Sequence, residues 1–178
     1  MDRRGIVSTM PDRSAARIAE TVDYIAIRRL QSAYADVVSR RAWPELGELF
    51  LADARVEVDT RTADPLVFEG PDALGTFIEG AIERFGFFEF VVLNTRIELG
   101  VGGDPDRADG RMYMCELRTE AGSGEWNSAF GVYHDRYRRD GGAWRFEHRR
   151  YHSLARTADA SHLTEVFAFP HHLTLGDL

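Results

Sequence analysis

The chain has 178 residues, enough for one domain with a full hydrophobic core and too few for a second of ordinary size. Its formal net charge of −7 argues against nucleic acid as a partner, because neutralising phosphates requires a basic face. All 22 basic residues are arginine, which excludes Schiff-base chemistry on lysine and a phosphate-loop lysine.

The sequence lacks two features that would place the protein in a membrane or outside the cell. No apolar run reaches the length of a membrane span, and the N-terminus lacks the apolar core of a secretory signal. The single cysteine, Cys115, cannot form an internal disulfide, and we predict a buried, inert thiol rather than a reactive one. We therefore expect a cytoplasmic protein with neither a membrane nor a nucleic-acid partner.

The first half of the chain has the pattern of helices. Residues 1–17 mix charge, proline and small residues without a period, which predicts a flexible tail. A helix is then predicted from Glu20 to Arg40, a second short one begins at Pro44, and "EGPDALGTFIEGAIERF" predicts a third, with a strand at "ARVEVDT" between them. The first helix has one apolar stripe, formed by Ile27, Leu30, Tyr34, Val37 and Val38, and Asp36 points away from it.

The second half alternates with period two. Four long strands are predicted at "FEFVVLNTRIELG", "DGRMYMCELRTEAG", "EWNSAFGVYHDRYRRD" and "AWRFEHRRYHSLA", separated by short turns that favour an antiparallel meander. The last segment, "SHLTEVFAFPHHLTLGDL", predicts a short helix broken at Pro170. The fold class is α+β: a curved antiparallel sheet wrapped around helices, with a conical cavity between them.

Three strings carry a family resemblance: "IRRLQSAYADVVSRRAWPELGELFLADARVEVD", "FEGPDALGTFI" and "GVYHDRYRRDGGAWRFEHRR". Over residues 20–155 the chain resembles the nuclear-transport-factor-2-like superfamily, in its SnoaL-like branch of polyketide cyclases, scytalone-dehydratase-like and dehydrochlorinase-like enzymes. The resemblance implies a cystatin-like α+β barrel over residues 18–155, followed by a C-terminal cap at 156–178. It also implies a homodimer formed through the exposed sheet face.

The same resemblance implies a site that this sequence changes. The dehydratases and dehydrochlorinases of the family use a His–Asp pair, whose aspartate falls on Ser39 and whose histidine falls on Phe90. Two tyrosines that polarise a carbonyl in the scytalone-dehydratase-like pattern fall on Val38 and Val58. The usual dyad and its helpers are therefore absent, and serine cannot act as a base at neutral pH without a base of its own.

Strand alternation selects other candidates for the cavity. We predict Glu116 as the general acid or base, because desolvation there raises its proton affinity, and Tyr133 and Tyr151 as hydrogen-bond donors to a carbonyl. Two alternatives stay open: Glu116 and Arg118 point outward or form a structural bridge, and the tyrosines are ordinary core aromatics. Predicted substrate contacts are Tyr34, Ser39, Phe90, Asn94, Met112, Met114, Arg118, Asp135 and Arg149, with a cross-strand salt bridge as the simpler interpretation of Asp135 and Arg149.

The functional hypothesis follows from this cavity together with the family resemblance. The six histidines lack the spacing of a metal site, and we expect neither a metal nor a cofactor. We predict a cofactor-independent lyase, isomerase or cyclase for an apolar, carbonyl-bearing metabolite of polyketide or steroid type, as in natural-product biosynthesis. The alternatives are a binding or accessory protein that kept the cavity and lost the chemistry, and a purely structural homodimer.

Overall fold

A seven-stranded sheet and three helices make up the computed structural model, which describes residues 13–157 and 164–176. The helices are α1 (Arg13–Arg40), α2 (Leu46–Leu49, after a 3-10 turn at Trp43–Glu45) and α3 (Pro71–Ile82). The strands are β1 (Phe50–Asp59), β2 (Leu66–Glu69), β3 (Phe85–Leu99), β4 (Arg107–Glu120), β5 (Trp126–Asp140), β6 (Ala143–Thr157) and β7 (Thr164–Val166). Residues 1–12 of the predicted tail lie outside the described residues, and Arg13–Arg17 already belong to α1.

The strand order is β2–β1–β6–β5–β4–β3, with β7 paired to β6. The predicted meander is confirmed, since β3 to β6 pair as consecutive antiparallel neighbours. The sheet as a whole is mixed, because β1 runs parallel to β6 and no short turn joins these two strands to fix their directions. It is curved but not closed, and the predicted α+β class is confirmed.

The turn between β5 and β6 shows why the sequence folds locally as predicted. Asp140 pairs with Ala143, so only Gly141 and Gly142 form the loop. Their φ angles are 57° and 84°, and a two-residue hairpin loop with positive φ at both positions suits glycine because it has no Cβ to clash. This turn sets the pairing of β5 and β6 beside it, and a register shift between Arg136 and Tyr137 separates it from the Tyr133–Tyr151 pair further along.

The C-terminal segment differs from the prediction. The residues after 163 form strand β7 instead of a helix, because Val166 and Glu165 pair with Ala155 and Arg156 of β6. Beyond β7, the Phe169 ring stacks on Tyr113 with 6.3 Å between centroids. This part of the predicted cap therefore covers the outer face of the sheet and leaves the concave face to the helices.

The concave face packs against α1 as the sequence predicted. The five residues of the apolar stripe are all buried, and the Asp36 side chain is exposed and paired with Arg40. One polar residue, Gln31, is also buried on this side, where its Nε2 donates hydrogen bonds to the Tyr137 hydroxyl (2.8 Å) and to Thr95 Oγ1 (2.9 Å). The donor group of this amide is thus satisfied, whereas its Oε1 is buried without a hydrogen-bond partner among the described residues.

Candidate active site

A cavity of about 180 Å³ lies between the concave face of the sheet and helices α1 and α3. Its apolar wall comes mainly from α3 and the start of β3, through Leu74, Phe77, Ile78, Ile82 and Phe85. The opposite wall carries the polar groups, on β4, β5 and β6.

Glu116 and Arg118 of β4 both line this cavity. Arg118 Nη1 lies 3.3 Å from Glu116 Oε2, and the guanidinium group stands over the Phe85 ring at 4.8 Å. About 21% of the Glu116 side chain remains accessible. Both side chains thus face inward, as strand alternation indicated, and they also form the bridge with each other that stood as the alternative.

The Glu116 carboxyl is held in an unfavourable place for a charge. Burial raises its pKa above the ordinary value of 4.5, and the positive charge of Arg118 offsets only part of that rise. A carboxyl with a raised pKa is both a better base when ionised and an available acid nearer to neutral pH. Glu116 is the only carboxylic acid among the described residues that line the cavity.

Three tyrosines form the deep end of the cavity: Tyr34, Tyr133 and Tyr151. The Tyr133 and Tyr151 rings lie 5.1 Å apart, and Tyr34 meets the Phe90 ring edge-on at 5.4 Å. Burial raises the pKa of each tyrosine, so all three hydroxyls stay protonated at neutral pH. They are hydrogen-bond donors suited to an oxygen that gains negative charge.

Gly131 makes the space in which the Tyr151 ring lies. A Cβ atom at Gly131 would stand 2.7 Å from Tyr151 Cζ and 2.8 Å from its hydroxyl oxygen. We expect Gly131→Ala to push the ring into the cavity and to lower the free energy of unfolding by about 1–3 kcal/mol, the usual cost of overpacking. Chemical denaturation measures the loss.

A matched glycine and a double variant make this prediction specific. A Cβ atom at Gly80 of α3 would meet nothing within 4 Å beyond the backbone of its own helix, so Gly80→Ala should stabilise the helix by about 0.5–1 kcal/mol. In a Tyr151→Ala background the further change Gly131→Ala should cost little, because the clashing ring is gone. An equal cost with and without the Tyr151 ring would show that the clash is not the cause.

Asp135 and Arg149 do not reach the cavity, which corrects their predicted role as substrate contacts. Both side chains are fully buried, and Arg149 Nε and Nη2 donate to the two Asp135 carboxylate oxygens at 2.7 and 2.9 Å. The guanidinium group also packs 4.2 Å from the Tyr133 ring centre, behind the aromatic end of the cavity. The pair is the cross-strand salt bridge that the sequence offered as the simpler interpretation.

Ser39 and Phe90, at the two positions of the family's His–Asp dyad, are in contact, but neither side chain is an acid or a base. Phe90 lines the cavity, and its backbone N–H donates to Ser39 Oγ at 2.9 Å. The Ser39 hydroxyl is therefore a structural acceptor that ties α1 to β3, and its predicted substrate contact is corrected. Val38 and Val58, at the positions of the helper tyrosines, add only apolar surface to the lining.

Three other predicted contacts also lie elsewhere. Asn94 is exposed, because a bulge between Val92 and Asn94 reverses the side-chain alternation of β3. Met112 and Met114 point inward as predicted, but they are fully buried in the core and are not part of the cavity surface. The two methionine contacts expected from the sequence are therefore absent from the described lining.

The sequence missed two polar residues of the lining, Arg156 and Thr60. The pairs Gly131–Ser153 and Phe130–Ala155 are separated by a register shift, and beyond it Arg156 pairs with Ala129 on the cavity side. Strict alternation from Ser153 would have put Arg156 on the outer face. No residue type in this stretch signals a bulge, so Arg156 could not have been found. Thr60 could have been found, because it comes directly after β1 and two residues after Val58, which also lines the cavity.

The histidines of the described residues lie outside this cavity. None lines it within the described ranges, and His134, His148 and His152 face the other side of the sheet, where burial lowers their pKa values, that of His134 to about 4. In residues 13–157 and 164–176 no three His, Cys, Asp or Glu side chains are grouped as metal ligands. Nor is any helix in those ranges long and apolar enough to cross a membrane.

Three solved structures with the same fold resemble this chain to a similar degree. A hexachlorocyclohexane dehydrochlorinase, LinA-type3 from Novosphingobium barchaimii, has a TM-score of 0.68 at 20% identity, covering 86% of this chain and 99% of its own. A provisionally assigned scytalone dehydratase from Novosphingobium aromaticivorans gives 0.67 at 20%, covering 86% and 93%. An NTF2-like protein with a cystatin-like fold from the same species gives 0.67 at 22%, covering 85% and 94%.

These likenesses establish the fold, and the family follows from the sequence. No curated protein sequence shows significant similarity to the chain. The SnoaL-like domain, by contrast, matches residues 19–150, which run from α1 into β6 and carry all the residues of the cavity except Tyr151, Ser153 and Arg156. The chain therefore belongs to the SnoaL-like domain family.

Proposed function

We propose that this protein is a cofactor-independent enzyme that moves a proton at the carbon atom next to the carbonyl group of a small apolar compound. Glu116 is the group that takes up and returns the proton. Its place as the only carboxylic acid of the cavity lining in the described residues, with a raised pKa, is the observation that carries the proposal. Raised carboxyl pKa values in apolar clefts are typical of catalytic acids and bases.

The chemistry follows from the groups around Glu116. The carboxylate takes a proton from the α-carbon, the C–H electron pair moves into the carbonyl group, and an enolate forms. Hydroxyl groups of Tyr133 and Tyr151 donate hydrogen bonds to the enolate oxygen, and Arg118 adds a positive charge. In a ketone with a β,γ double bond, return of the proton from Glu116 to the γ-carbon completes an isomerisation. In a ketone with a leaving group on the β-carbon, that group departs with its bonding electron pair and takes the proton from Glu116, which completes an elimination.

Two of the structural relatives are named for eliminations, a dehydratase and a dehydrochlorinase. Their names support a lyase-type reaction as the favoured outcome of the enolate here. The site nevertheless differs from the family's dyad, since Ser39 and Phe90 hold no acid–base pair. The same difference favours the second candidate, a binding protein without activity.

Hydrogen exchange separates the two candidates without knowledge of the natural substrate. In heavy water, an enzyme of this kind should replace the α-protons of phenylacetone by deuterium faster than buffer alone, as followed by proton NMR. The protein-dependent rate should rise with pH and level off above the pKa of Glu116, since the base must be ionised. If phenylacetone binds and its exchange rate stays at that of buffer, the protein is a binding protein.

We further propose a homodimer through the outer sheet face, in the cytoplasm. Support comes from exposed aromatic side chains on β3 and β5 that the C-terminal segment leaves open: Phe87 and Trp126, stacked at 6.0 Å, and Phe130. The free thiol of Cys115 suits a reducing compartment. Light scattering should give twice the chain mass for the wild type and a single chain mass for Trp126→Glu. A monomeric wild type would refute the dimer.

A further inference from the structure

The size of the cavity limits what can reach Glu116. Its volume of about 180 Å³ is close to the roughly 150 Å³ of an engineered apolar cavity that binds benzene. It falls below the roughly 300–1,000 Å³ of pockets that hold drug-sized ligands. One six-membered ring with a short substituent fills such a space, whereas fused rings exceed it.

The deep end of the cavity has little freedom to expand. Tyr34 is 2% exposed and packs edge-on against Phe90, Phe50 and Phe146 with centroids 5.4–5.9 Å apart. The Arg149 guanidinium group lies behind Tyr34 at 4.3 Å and is itself fixed by the buried bridge to Asp135. Close-packed interiors resist the insertion of extra volume, so the limit on ring size holds at this end.

The apolar wall is the adjustable one, because most of its side chains belong to the single helix α3 of 12 residues. Ile78 of α3 is half-buried and lines the cavity. Shortening it removes three carbon atoms from this wall and leaves the aromatic end unchanged. The same isoleucine-to-alanine change is available far from the cavity, at exposed Ile18 of α1.

Polarity restricts the ligand further. The polar groups beside Glu116 are Arg118 and the tyrosine hydroxyls, all of which can donate a hydrogen bond, and the wall formed by α3 is apolar. A ligand that fits both walls carries one hydrogen-bond acceptor on an otherwise apolar ring. We infer that the site takes a single-ring ketone, and that the fused polycyclic compounds of polyketide or steroid type expected from the sequence are excluded. The inference rests on the proposed function for the identity of the acceptor as a carbonyl.

A matched pair of ketones tests the inference by binding alone. Calorimetric titration of the wild type should give a dissociation constant for phenylacetone about tenfold or more below that for 2-naphthylacetone. The reason is that the second fused ring of 2-naphthylacetone collides with the side chains of the apolar wall. Ile78→Ala should narrow this ratio by making room for the second ring. Ile18→Ala should leave the ratio at the wild-type value.

Three results would overturn the inference: equal or tighter binding of 2-naphthylacetone to the wild type, no binding of phenylacetone, or a ratio that Ile78→Ala leaves unchanged. Circular dichroism of each variant confirms that it is folded. Failure of the proposed function looks different, since phenylacetone would then bind with the expected preference and its α-protons would not exchange. Binding and exchange thus report on the two proposals separately.

Discussion

Glu116→Gln is expected to reduce the protein-dependent exchange of phenylacetone α-protons by about 100-fold or more, the usual contribution of a positioned general base. Glutamine has nearly the same shape but no basic oxygen, so binding of the ketone should change little. Proton NMR in heavy water measures the rate, and calorimetry measures the binding. Glu57→Gln is the matched control, since Glu57 forms ion pairs on the outer face of the sheet, away from the cavity.

The same variant should be more stable than the wild type at neutral pH. The folded-state pKa of Glu116 is raised above its ordinary value of 4.5, so its stabilising form is the protonated one. That contribution is fully present below the unfolded pKa and is lost as the pH rises through the folded pKa. The stability gain of Glu116→Gln should therefore be present at pH 7 and vanish as the pH falls below 4.5.

This pattern distinguishes a catalytic carboxylate from a structural one. If Glu116 served mainly as the partner of Arg118, its removal would leave an unpaired cation and lower the stability at pH 7. If Glu116 is instead kept for function at the expense of stability, its replacement by glutamine raises the stability at pH 7. Unchanged exchange in Glu116→Gln would remove Glu116 from the mechanism.

Arg149→Met is expected to destabilise the protein by about 3–5 kcal/mol, because it leaves the Asp135 carboxylate buried without its cation. The Tyr137 hydroxyl, which donates to Asp135 Oδ2 at 2.8 Å, cannot replace that charge. Urea denaturation gives the free energy of unfolding. The double variant Asp135→Leu/Arg149→Met should recover much of the loss, since no unpaired charge remains.

An exposed arginine provides the control for this prediction. Arg40 also forms two ion pairs, with Asp36 and Glu45, but nearly half of its side chain is exposed. Arg40→Met should cost far less than Arg149→Met, because exposed ion pairs are screened by water and contribute little to stability. Similar losses for Arg149→Met and Arg40→Met would show that burial does not set the value of the inner pair.

Periodicity alone was enough to predict the main elements of the fold. The helical stripe around Tyr34 and the alternation of β4 and β5 placed Glu116 and Tyr133 on the inner face, where the structure has them. Local signals do not predict the pairing of distant segments, so the parallel contact of β1 with β6 was missed. The short strands β2 and β7 were missed for a different reason: their partners β1 and β6 come just before them in the chain, but three or four residues are too few to show a period.

The errors at Asn94 and Arg156 have one physical origin. A single bulge reverses the face of every later side chain in a strand, and the bulges before Asn94 and after Ser153 have no signature in the sequence. Asn94 was therefore predicted inside and lies outside, and Arg156 was overlooked. The family resemblance predicted that Ser39 and Phe90 occupy the positions of the dyad, and the two residues are in contact. Because neither residue is an acid or a base, the search for a catalytic group moved to the strands.

The most direct test is a comparison of two titrations on the wild-type protein. Carboxyl carbon-13 NMR, assigned with the Glu116→Gln variant, reports the ionisation of Glu116, and phenylacetone exchange reports the rate at each pH. The account predicts that Glu116 titrates above its ordinary value of 4.5 and that the exchange rate rises with the same midpoint. A Glu116 midpoint at or below 4.5, or an exchange rate that follows a different midpoint, would contradict it.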